Sequence, residues 1–279
     1  MAREREGDTA VLEQETDQGP SPEQMLLALY DAPWEDQVKA KDTMEAYLLE
    51  RGEPLVKRKS ATALPTEKFG GWTQVLYRDR REPKNHTVMV YGDLNNGALG
   101  NREGVLVRVH SSHEPNEIWG APTSDDRQQL IASMKEIHKR GGGVIIYVKE
   151  DGRGLGEEAQ HLQFQNMFEW ENHDVVHKIN PETGKPITTS EAYKKAGVPH
   201  EARRYNHIGD IIRDLKLKSI TLMSNSPHKR KGLEEARVKV IGTHSLHIPA
   251  DNPTTIRYQQ DQRKNGYHLP PQATVFAAR

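Results

Sequence analysis

The sequence predicts a mixed α/β (α+β) fold, in which an antiparallel strand meander precedes alternating helix and strand units. Three observations support this class. The segment Val144 to Val148 is a short β-prone run, suited to a strand buried on both faces. A helix with an apolar stripe is predicted before it, from Thr123 to about Lys139, and a glycine-rich loop follows it. Earlier strand-like runs lie at Trp72 to Tyr77, His86 to Tyr91 and Val105 to His110.

The composition limits the classes of protein to which the chain can belong. It has 279 residues, 34% hydrophobic and 28% charged, with a net charge of −1. This charge argues against a general affinity for nucleic acid, and no apolar run approaches the roughly 20 residues of a membrane span. The absence of cysteine excludes disulfides, thiol catalysis and thiolate zinc sites. With no apolar signal segment at the N-terminus, we expect a cytoplasmic protein with no nucleic acid or membrane partner.

Shifts in composition along the chain predict four regions. Residues 1–20 are polar and are expected to form a disordered tail. Residues 21–62 are predicted to be an N-terminal helical extension of two short helices, the second ending at Glu50. The extension carries no recognisable chemistry, so we expect it to dock or to dimerise, which would make the protein a homodimer. Residues 63–248 form the predicted main domain, and residues 249–279 a polar C-terminal tail.

The main domain is predicted to open with an antiparallel meander of the three strand-like runs. In the third run, valines at alternate positions are predicted to face the core, while Arg108 and His110 emerge from the other face. A serine or threonine cap and two aspartates mark the start of the helix that follows. Further helices are predicted over Glu157 to Glu171, Ser190 to Ala196 and Ile208 to Leu215, and strands over Ser219 to Met223 and Val238 to Ile241.

Polar and basic side chains follow the predicted strands at the points where the strands end. The stretches are Arg108 to His113, Asp151 to Arg153 and Ser224 to Lys229, and Glu201 to Arg204 precedes a helix. An α/β protein usually binds its ligand at such strand ends. Basic residues in four equivalent places would bind a polyphosphate. Each one alone is more often a solvated surface charge, whereas four in equivalent places favour an anion site. The sequence GRGLG matches neither a dinucleotide fingerprint nor a P-loop, and on its own it is equally compatible with a tight turn.

The order of several short motifs along the chain is more specific than any of these stretches taken alone. They read YRDR, YGDL, VLVRVHS, QQL, IIYVKEDGRGLG, GVPHEARRY and SNSPHK. This set resembles the GTP cyclohydrolase II family, which opens riboflavin biosynthesis, over roughly Ala63 to Ile248 with an insertion near Ile179 to Ile187. The resemblance implies a GTP cyclohydrolase II-like fold and a GTP-binding hydrolase. In that family an arginine accepts the nucleotidyl group as pyrophosphate leaves, and a zinc-bound water then opens the imidazole ring and releases formate.

The resemblance also implies roles for individual residues. Arg203 matches the nucleophile, and Glu201 matches the acidic proton acceptor, which is aspartate in the family. The residues that match the family's nucleotide contacts are Arg108, His110, Ser111, Gln129, Asp151, Gly152, Arg153, Thr189, Ser224 and Lys229. We expect Mg²⁺ to accompany the phosphates of such a substrate. The phosphate half of the family's site is therefore expected to be intact.

The half of the site that handles the base departs from the family pattern. The three zinc cysteines match His113, Ser124 and Asp126. The tyrosine that assists ring opening matches Phe164, which has no hydroxyl. Two interpretations remain for the former zinc positions. Either His113 and Asp126, with His110 nearby, still bind a metal such as zinc, or Ser124 and Asp126 simply start a helix. We favour the second, and we expect zinc-dependent ring opening to be lost.

Three functions are compatible with these residues. The leading hypothesis is a nucleotide hydrolase that releases pyrophosphate at Arg203, with GTP as the first substrate to test. The second is a related enzyme that acts on a pyrimidine nucleotide in uracil catabolism, as relatives of the family do. The third is a non-catalytic regulatory protein that binds a nucleotide, although a retained nucleophile argues against it.

Overall fold

The computed structural model describes Gln24 and residues 32–92, 102–199, 202–246, 248–250 and 252–269. The predicted tail and the first helix of the extension fall outside these ranges, apart from Gln24. The helices are α1 Trp34–Glu50, α2 Glu114–Glu117, α3 Asp126–Arg140, α4 Glu157–Met167, α5 Thr189–Lys195, α6 Asn206–Asp214, α7 Pro227–Glu235 and α8 Pro253–Lys264. The strands are β1 Val56–Thr66, β2 Gly70–Asp79, β3 Asn85–Tyr91, β4 Val105–Ser111, β5 Gly143–Val148, β6 Phe168–Glu171, β7 Asp174–His177, β8 Ile220–Met223 and β9 Val240–His244. Within these ranges, no helix combines the length and the apolar character that crossing a membrane requires.

Seven strands form one mixed sheet in the order β1-β2-β3-β5-β4-β8-β9. The half that contains β1, β2 and β3 is antiparallel, and β3 continues antiparallel to β5. The other half, from β5 through β4 and β8 to β9, is parallel. The predicted α/β class, with a meander followed by alternating helices and strands, is confirmed.

The membership of the meander was predicted wrongly. Its third strand is not β4, which pairs parallel with β5 and β8. The missing member is β1, which pairs with β2 along its whole length. Strand propensity is local and carries no information about partners, and both partners of β4 follow it in the chain. The sequence does not predict β1, because it is an edge strand and its mostly exposed residues show no alternating pattern.

The order of the parallel strands reverses at β4. The chain leaves β4 through α3 and returns as β5 on one side, whereas β8 pairs with β4 on the other side. Val107 in the middle of β4 lies opposite Val144 of β5 and Leu222 of β8. The carboxyl ends of all three strands therefore meet at one edge of the sheet. Such a reversal leaves a crevice at that edge, where open α/β sheets bind their ligands.

Both faces of the central strands are buried. On one face Val107, Val144 and Ile146 pack against the apolar stripe of α6. On the other face Leu106 and Ile145 pack against α3. The expectation that Arg108 and His110 emerge from the sheet was wrong: their exposed fractions are 4% and 0%. Residues from α2 and α3 cover them, through contacts that the sequence pattern does not reveal.

The predicted helical extension is part of the main domain. Its last residues form β1, and α1 packs back onto the chain. Glu45 of α1 accepts a hydrogen bond from the fully buried Arg81 at 2.9 Å and another from Asn206 at 2.8 Å. Asp42 forms an ion pair with Arg204 at 2.9 Å. Helix α1 thus supports the segment that follows Arg203.

The C-terminal region also contains a helix where a polar tail was predicted. The Asn252 side chain accepts a hydrogen bond from the backbone N–H of Thr255 at 2.8 Å, and Pro253 occupies the first turn of α8. An asparagine cap followed by proline is a sequence signal for a helix start, so this element was predictable. Gln259 of α8 donates to Asp125 at 2.9 Å, which fixes the helix beside the start of α3.

The helix predicted to reach Glu171 ends at Met167 instead. Strands β6 and β7 follow as an antiparallel hairpin, with Phe168 opposite His177. Asn172 and His173 form the turn with positive φ angles of 48° and 68°, which suits a tight two-residue hairpin connection. The sequence predicts a continued helix here because the aromatic residues of this segment are compatible with the period of a helix as well as with that of a strand.

Gly232 lets α7 pack closely against Tyr205, two residues after Arg203. A Cβ atom at Gly232 would overlap the Tyr205 ring. We expect Gly232→Ala to lower the free energy of unfolding by about 1–3 kcal/mol, although alanine is the better helix former. Urea denaturation measures the change. Gly71→Ala is the control, since a Cβ atom added at Gly71 would meet nothing within 4 Å, and it should change stability by less than about 0.5 kcal/mol. Equal losses in the two variants would contradict this packing.

Candidate functional site

A cleft lies at the carboxyl edge of β4, β5 and β8, where the strand order reverses. Helices α4, α5, α7 and α8 and the loop before α6 complete its walls. Of the residues predicted from the sequence, those lining the cleft are Arg108, Ser111, His113, Ser124, Asp126, Gln129, Gly152, Arg153, Thr189, Arg203, Ser224 and Lys229. The structure thus brings together residues from separate stretches of the chain.

Two predicted site residues, His110 and Asp151, lie elsewhere. His110 is fully buried beneath the cleft. Asp151 lines a neighbouring cavity, and both of its carboxylate oxygens accept from the Ser112 hydroxyl at 3.0 Å. Burial raises the pKa of Asp151, and the nearby charge of Glu157 adds to this effect. Glu201, the predicted proton acceptor, lies outside the described residues.

Arg108 is a buried cation held by neutral groups. Its guanidinium donates to the backbone carbonyl of Met223 at 3.2 Å and to the side-chain oxygen of Gln129 at 2.6 Å. Its Nε has no hydrogen-bond partner, and no ion-pair partner of Arg108 occurs in the described part of the chain. Burial lowers the pKa of this guanidinium, as expected for a charge removed from water. The charges of Asp126 and Asp125 partly oppose this effect, and the buried Nε remains as a donor for a further acceptor.

A second layer of polar residues orients Arg108 from below. His110 lies 3.4 Å from Arg108 through Nδ1 and 2.6 Å from a Glu117 oxygen through Nε2. Tyr147 donates to the other oxygen of Glu117. Burial lowers the pKa of His110, so its ring is neutral, donates from Nε2 to Glu117 and accepts at Nδ1. Although burial opposes it, hydrogen bonds from His110 and Tyr147 keep the pKa of Glu117 below its usual value. No sequence pattern pointed to Glu117 or Tyr147.

The glycine-rich loop packs against the segment that carries Arg203. Gly152, Arg153 and Gly154 all have positive φ angles, of 58°, 58° and 90°. A Cβ atom at Gly154 would lie 3.1 Å from the backbone nitrogen of Arg203, so only glycine permits this approach. Arg203 donates to the Ser111 hydroxyl at 3.3 Å, and the Arg153 guanidinium lies 4.9 Å from the centre of the Tyr193 ring. A non-glycine residue with positive φ is uncommon, and such strain concentrates at functional sites.

Lys229 and the start of α7 close the opposite wall of the cleft. The Lys229 ammonium donates to the carbonyl of Val109 at 2.9 Å, and the residue is 7% exposed. Ser226 caps α7, and the Ser224 hydroxyl accepts from the Ser226 backbone N–H at 3.0 Å. The positive end of the helix dipole therefore faces the same space as the cations, which favours an anion there.

The sequence did not reveal the contribution of α8 to the cleft. Tyr258 and Gln262 of α8 line it, and Tyr267 lies just beyond the helix. The cap signal at Asn252 predicts the helix itself. Its position against the site depends on the contact between Gln259 and Asp125, which joins residues far apart in the chain.

The three positions of the family's zinc cysteines do come together. The Ser124 hydroxyl donates to Asp126 at 2.7 Å and lies 3.3 Å from Nδ1 of His113, while His113 and Asp126 are 3.8 Å apart. Although burial opposes ionisation, the proximity of His113 and the hydrogen bond from the Ser124 hydroxyl hold the pKa of Asp126 below its usual value. The predicted serine or threonine cap was wrong, because Asp125 occupies the N-cap position, and its side chain accepts from the Gln129 side chain at 2.6 Å rather than from a backbone N–H of the helix.

These residues do not fit a tetrahedral zinc site. Only two of the three are usual zinc ligands, and Asp126 already accepts from the Ser124 hydroxyl. Within the ranges that the structure describes, no group of three histidine or acidic side chains is arranged to hold a metal ion. We therefore derive no step of a reaction from a metal at this position.

The protein has an α/β sheet with a cleft lined by basic side chains at its carboxyl edge, where open α/β folds bind their ligands. The family model of GTP cyclohydrolase II matches residues 57–245. The chain belongs to the GTP cyclohydrolase II family. This confirms the resemblance seen in the sequence and supports the expected hydrolase class. The match begins within the segment predicted as an extension, in agreement with β1 being part of the sheet.

Curated relatives support the same family. Riboflavin biosynthesis protein RibBA of Bacillus cereus (strain ATCC 14579) is 32% identical over 217 residues, which cover 78% of this chain and 49% of that protein. RibBA of Bacillus mycoides (strain KBAB4) is 31% identical over the same length. The match spans about half the length of these relatives. Among solved structures, RibBX, a two-domain 3,4-dihydroxy-2-butanone 4-phosphate synthase from A. baumannii, covers 73% of this chain and 48% of its own at 15% identity. Its TM-score of 0.33 is too low to support a conclusion.

The ligand set at His113, Ser124 and Asp126 predicts the metal content of the protein. We expect elemental analysis of the purified protein to show well under one zinc per chain, because the described residues offer two usual ligands where a stable zinc site needs at least three. His113→Ala should leave the zinc content unchanged. Stoichiometric zinc in the unaltered protein that is lost in this variant would contradict the expectation.

Proposed function

We propose that this protein is a nucleotide hydrolase that binds a nucleoside triphosphate by its phosphates and releases pyrophosphate at Arg203. The observation that carries the proposal is Arg108, a buried cation with an unpaired Nε and no ion-pair partner among the described residues. A phosphate oxygen supplies the missing hydrogen-bond acceptor and brings a negative charge to the buried guanidinium.

The balance of charge in the cleft supports phosphate as the ligand. Four basic side chains line it, namely Arg108, Arg153, Arg203 and Lys229, against two acidic ones, Asp126 and Glu150. Lys229 donates to the neutral carbonyl of Val109 at the end of β4, which places its ammonium beside the strand that carries Arg108. Cations that surround departing phosphates stabilise the charge that develops as the bond breaks, which is the main requirement of phosphoryl chemistry.

The position of Arg203 suits attack on the α-phosphorus. Its segment packs against the glycine loop, and its guanidinium reaches the Ser111 hydroxyl at the end of β4. In the proposed reaction a guanidinium nitrogen forms a bond to the α-phosphorus as the bond to pyrophosphate breaks. Glu201, by the resemblance, accepts the proton that the guanidinium loses, and water then hydrolyses the nucleotidyl group to the monophosphate. Mg²⁺ would enter with the phosphates of the substrate.

Opening of the base ring is not included in the proposal. In the family that step depends on zinc, and the residues at the three former cysteine positions do not fit zinc. Phe164, at the position of the assisting tyrosine, has no proton to give. GTP is the first substrate to test because of the family. A pyrimidine nucleotide of uracil catabolism is the alternative substrate, and riboflavin biosynthesis the pathway that the relatives' names suggest.

A second candidate function is a nucleotide-binding regulatory protein without catalysis. The observation that favours it is the closed set of hydrogen bonds among His113, Ser124 and Asp126, which leaves no obvious group to activate a water. A protein of this kind would bind nucleotide through the same cations and release neither pyrophosphate nor formate. Measurement of pyrophosphate and formate release separates the two functions.

Arg108→Met tests phosphate binding directly. We expect the affinity for GTP, measured by calorimetry, to fall well over tenfold, because the loss of one partner of a buried charged contact costs about 2–5 kcal/mol. Arg127→Met is the matched control, since Arg127 is exposed on the first turn of α3 and does not line the cleft. If both variants bind GTP as tightly as the unaltered protein does, Arg108 is not part of the site.

Separate measurement of pyrophosphate and formate tests the reaction. With GTP and Mg²⁺ we expect pyrophosphate to be released faster than formate, because the phosphate half of the site is present and the ring-opening groups are absent. Arg203→Ala should abolish pyrophosphate release, whereas the neighbouring Arg204→Ala should retain it, since Arg204 pairs with Asp42 at the surface. Equal yields of the two products would refute the proposal. Inertness toward all nucleotides with intact binding would favour the regulatory protein.

A further inference from the structure

A second cavity adjoins the cleft on the side of Phe164. It measures about 580 Å³ and lies among α2, α4 and the β6–β7 hairpin. This volume falls within the roughly 300–1,000 Å³ typical of small-molecule sites. Thr123, Gln160 and Phe164 line both spaces, so the cavity and the cleft share a wall. We call it the aromatic cavity, after Trp119, Phe164 and Phe168, which line it.

The aromatic rings of this cavity are fixed in place although they face open space. Phe168 lies 6.0 Å from Phe164 and 4.6 Å from His177, between ring centres. Trp119 is 74% exposed, and its indole N–H donates to Glu114 at 3.2 Å. An indole held by a hydrogen bond and left uncovered offers a flat face for stacking. Covering it with another ring recovers the free energy that its exposure to water costs.

Two polar atoms of the cavity wall have no partner. They are Oγ1 of Thr123, on the shared wall, and Nδ1 of His177, on β7, and both are buried and without a hydrogen bond among the described residues. Burial lowers the pKa of His177, so its imidazole is neutral at pH 7 and can donate or accept. Buried polar atoms are normally paired, and a ligand with ring nitrogens and carbonyl oxygens would pair these two.

The charges of the cavity are opposite in sign to those of the cleft. Glu114, Asp151 and Glu157 line it, and no lysine or arginine does so among the described residues. A phosphate group is therefore repelled from this space and attracted to the cleft. A ring with N–H donors can form hydrogen bonds with these carboxylates. A ligand with an anionic end and a flat polar ring would place one end in each space.

We propose that the aromatic cavity binds a planar heteroaromatic ring, stacked on Trp119 and hydrogen-bonded to Thr123 and His177, as the base end of a nucleotide whose phosphates occupy the cleft. This inference rests on the proposed function for the phosphate end. It assigns recognition of the base to the loop between α2 and α3 and to β7 rather than to the former zinc positions. His177 and Phe168 belong to the hairpin, so this hairpin contributes directly to substrate choice.

Binding of nucleotides and of inorganic tripolyphosphate to the same variants tests the proposal. We expect Trp119→Ala to weaken the tightest binder among GTP, ATP, CTP and UTP about tenfold or more, because stacking on an aromatic side chain contributes that much per base. His177→Phe keeps a ring but removes the hydrogen bond at Nδ1, and it should weaken the same nucleotide about fivefold or more. Neither change should alter the affinity for tripolyphosphate, whereas Arg153→Ala should weaken both ligands. Trp119→Phe keeps an aromatic face and should retain most of the nucleotide affinity.

Trp170→Ala is the matched control. Trp170 is 78% exposed on the same hairpin but does not line the cavity, so its removal should leave nucleotide affinity unchanged. If Trp119→Ala behaves like Trp170→Ala, or if no nucleotide binds more tightly than tripolyphosphate, the aromatic cavity does not hold the base, and the phosphate site stands. If neither tripolyphosphate nor any nucleotide binds the unaltered protein, the proposed function fails and this inference fails with it.

Discussion

Strand β4 imposes the constraint on which the rest of the structure depends. It is hydrogen-bonded on both sides to parallel strands, and two parallel strands can be joined only by a long crossover. The chain therefore leaves the sheet through helices each time and returns in the same direction. The carboxyl ends of β4, β5 and β8 must then lie at one edge. Because these strands are buried on both faces, the polar residues that end them come together at that edge.

Two buried arginines show how the same side chain can serve structure or function. Arg81 is fully buried, but Asp79 and Glu45 neutralise it at 2.7 and 2.9 Å. Although burial opposes it, the charge of Arg81 holds the pKa of Asp79 well below its usual range. Arg108 is buried almost as deeply, and its hydrogen-bond partners are neutral groups. The paired charge of Arg81 holds the sheet and α1 together, whereas Arg108 is the cation on which the proposed phosphate site depends.

The two halves of the candidate site have diverged to different extents. On the phosphate side, cations, a helix start and a glycine loop fit together as the family resemblance implies. On the other side, the former zinc positions bond to one another, and Phe164 separates the cleft from a cavity of aromatic rings. In the function proposed above, the cleft holds the phosphates and this cavity holds the ring, so substrate choice depends on the loop between α2 and α3 and on the hairpin.

Local signals in the sequence were sufficient to predict most helices and strands, the α/β class and the residues at the strand ends. Buried strands, helix caps and glycine loops depend on residues that are close together in the chain, so their sequence patterns can be recognised without a structure. The place of β1 in the sheet, the burial of Arg108 and His110, and the contribution of α8 were not predictable. Each depends on contacts between distant residues, such as Gln259 with Asp125 or Arg108 with Met223, that no periodicity encodes. By itself the sequence determined which chemical groups the site contains; only the tertiary structure decided which of them are buried, paired or left open to a ligand, because pairing depends on distance in space.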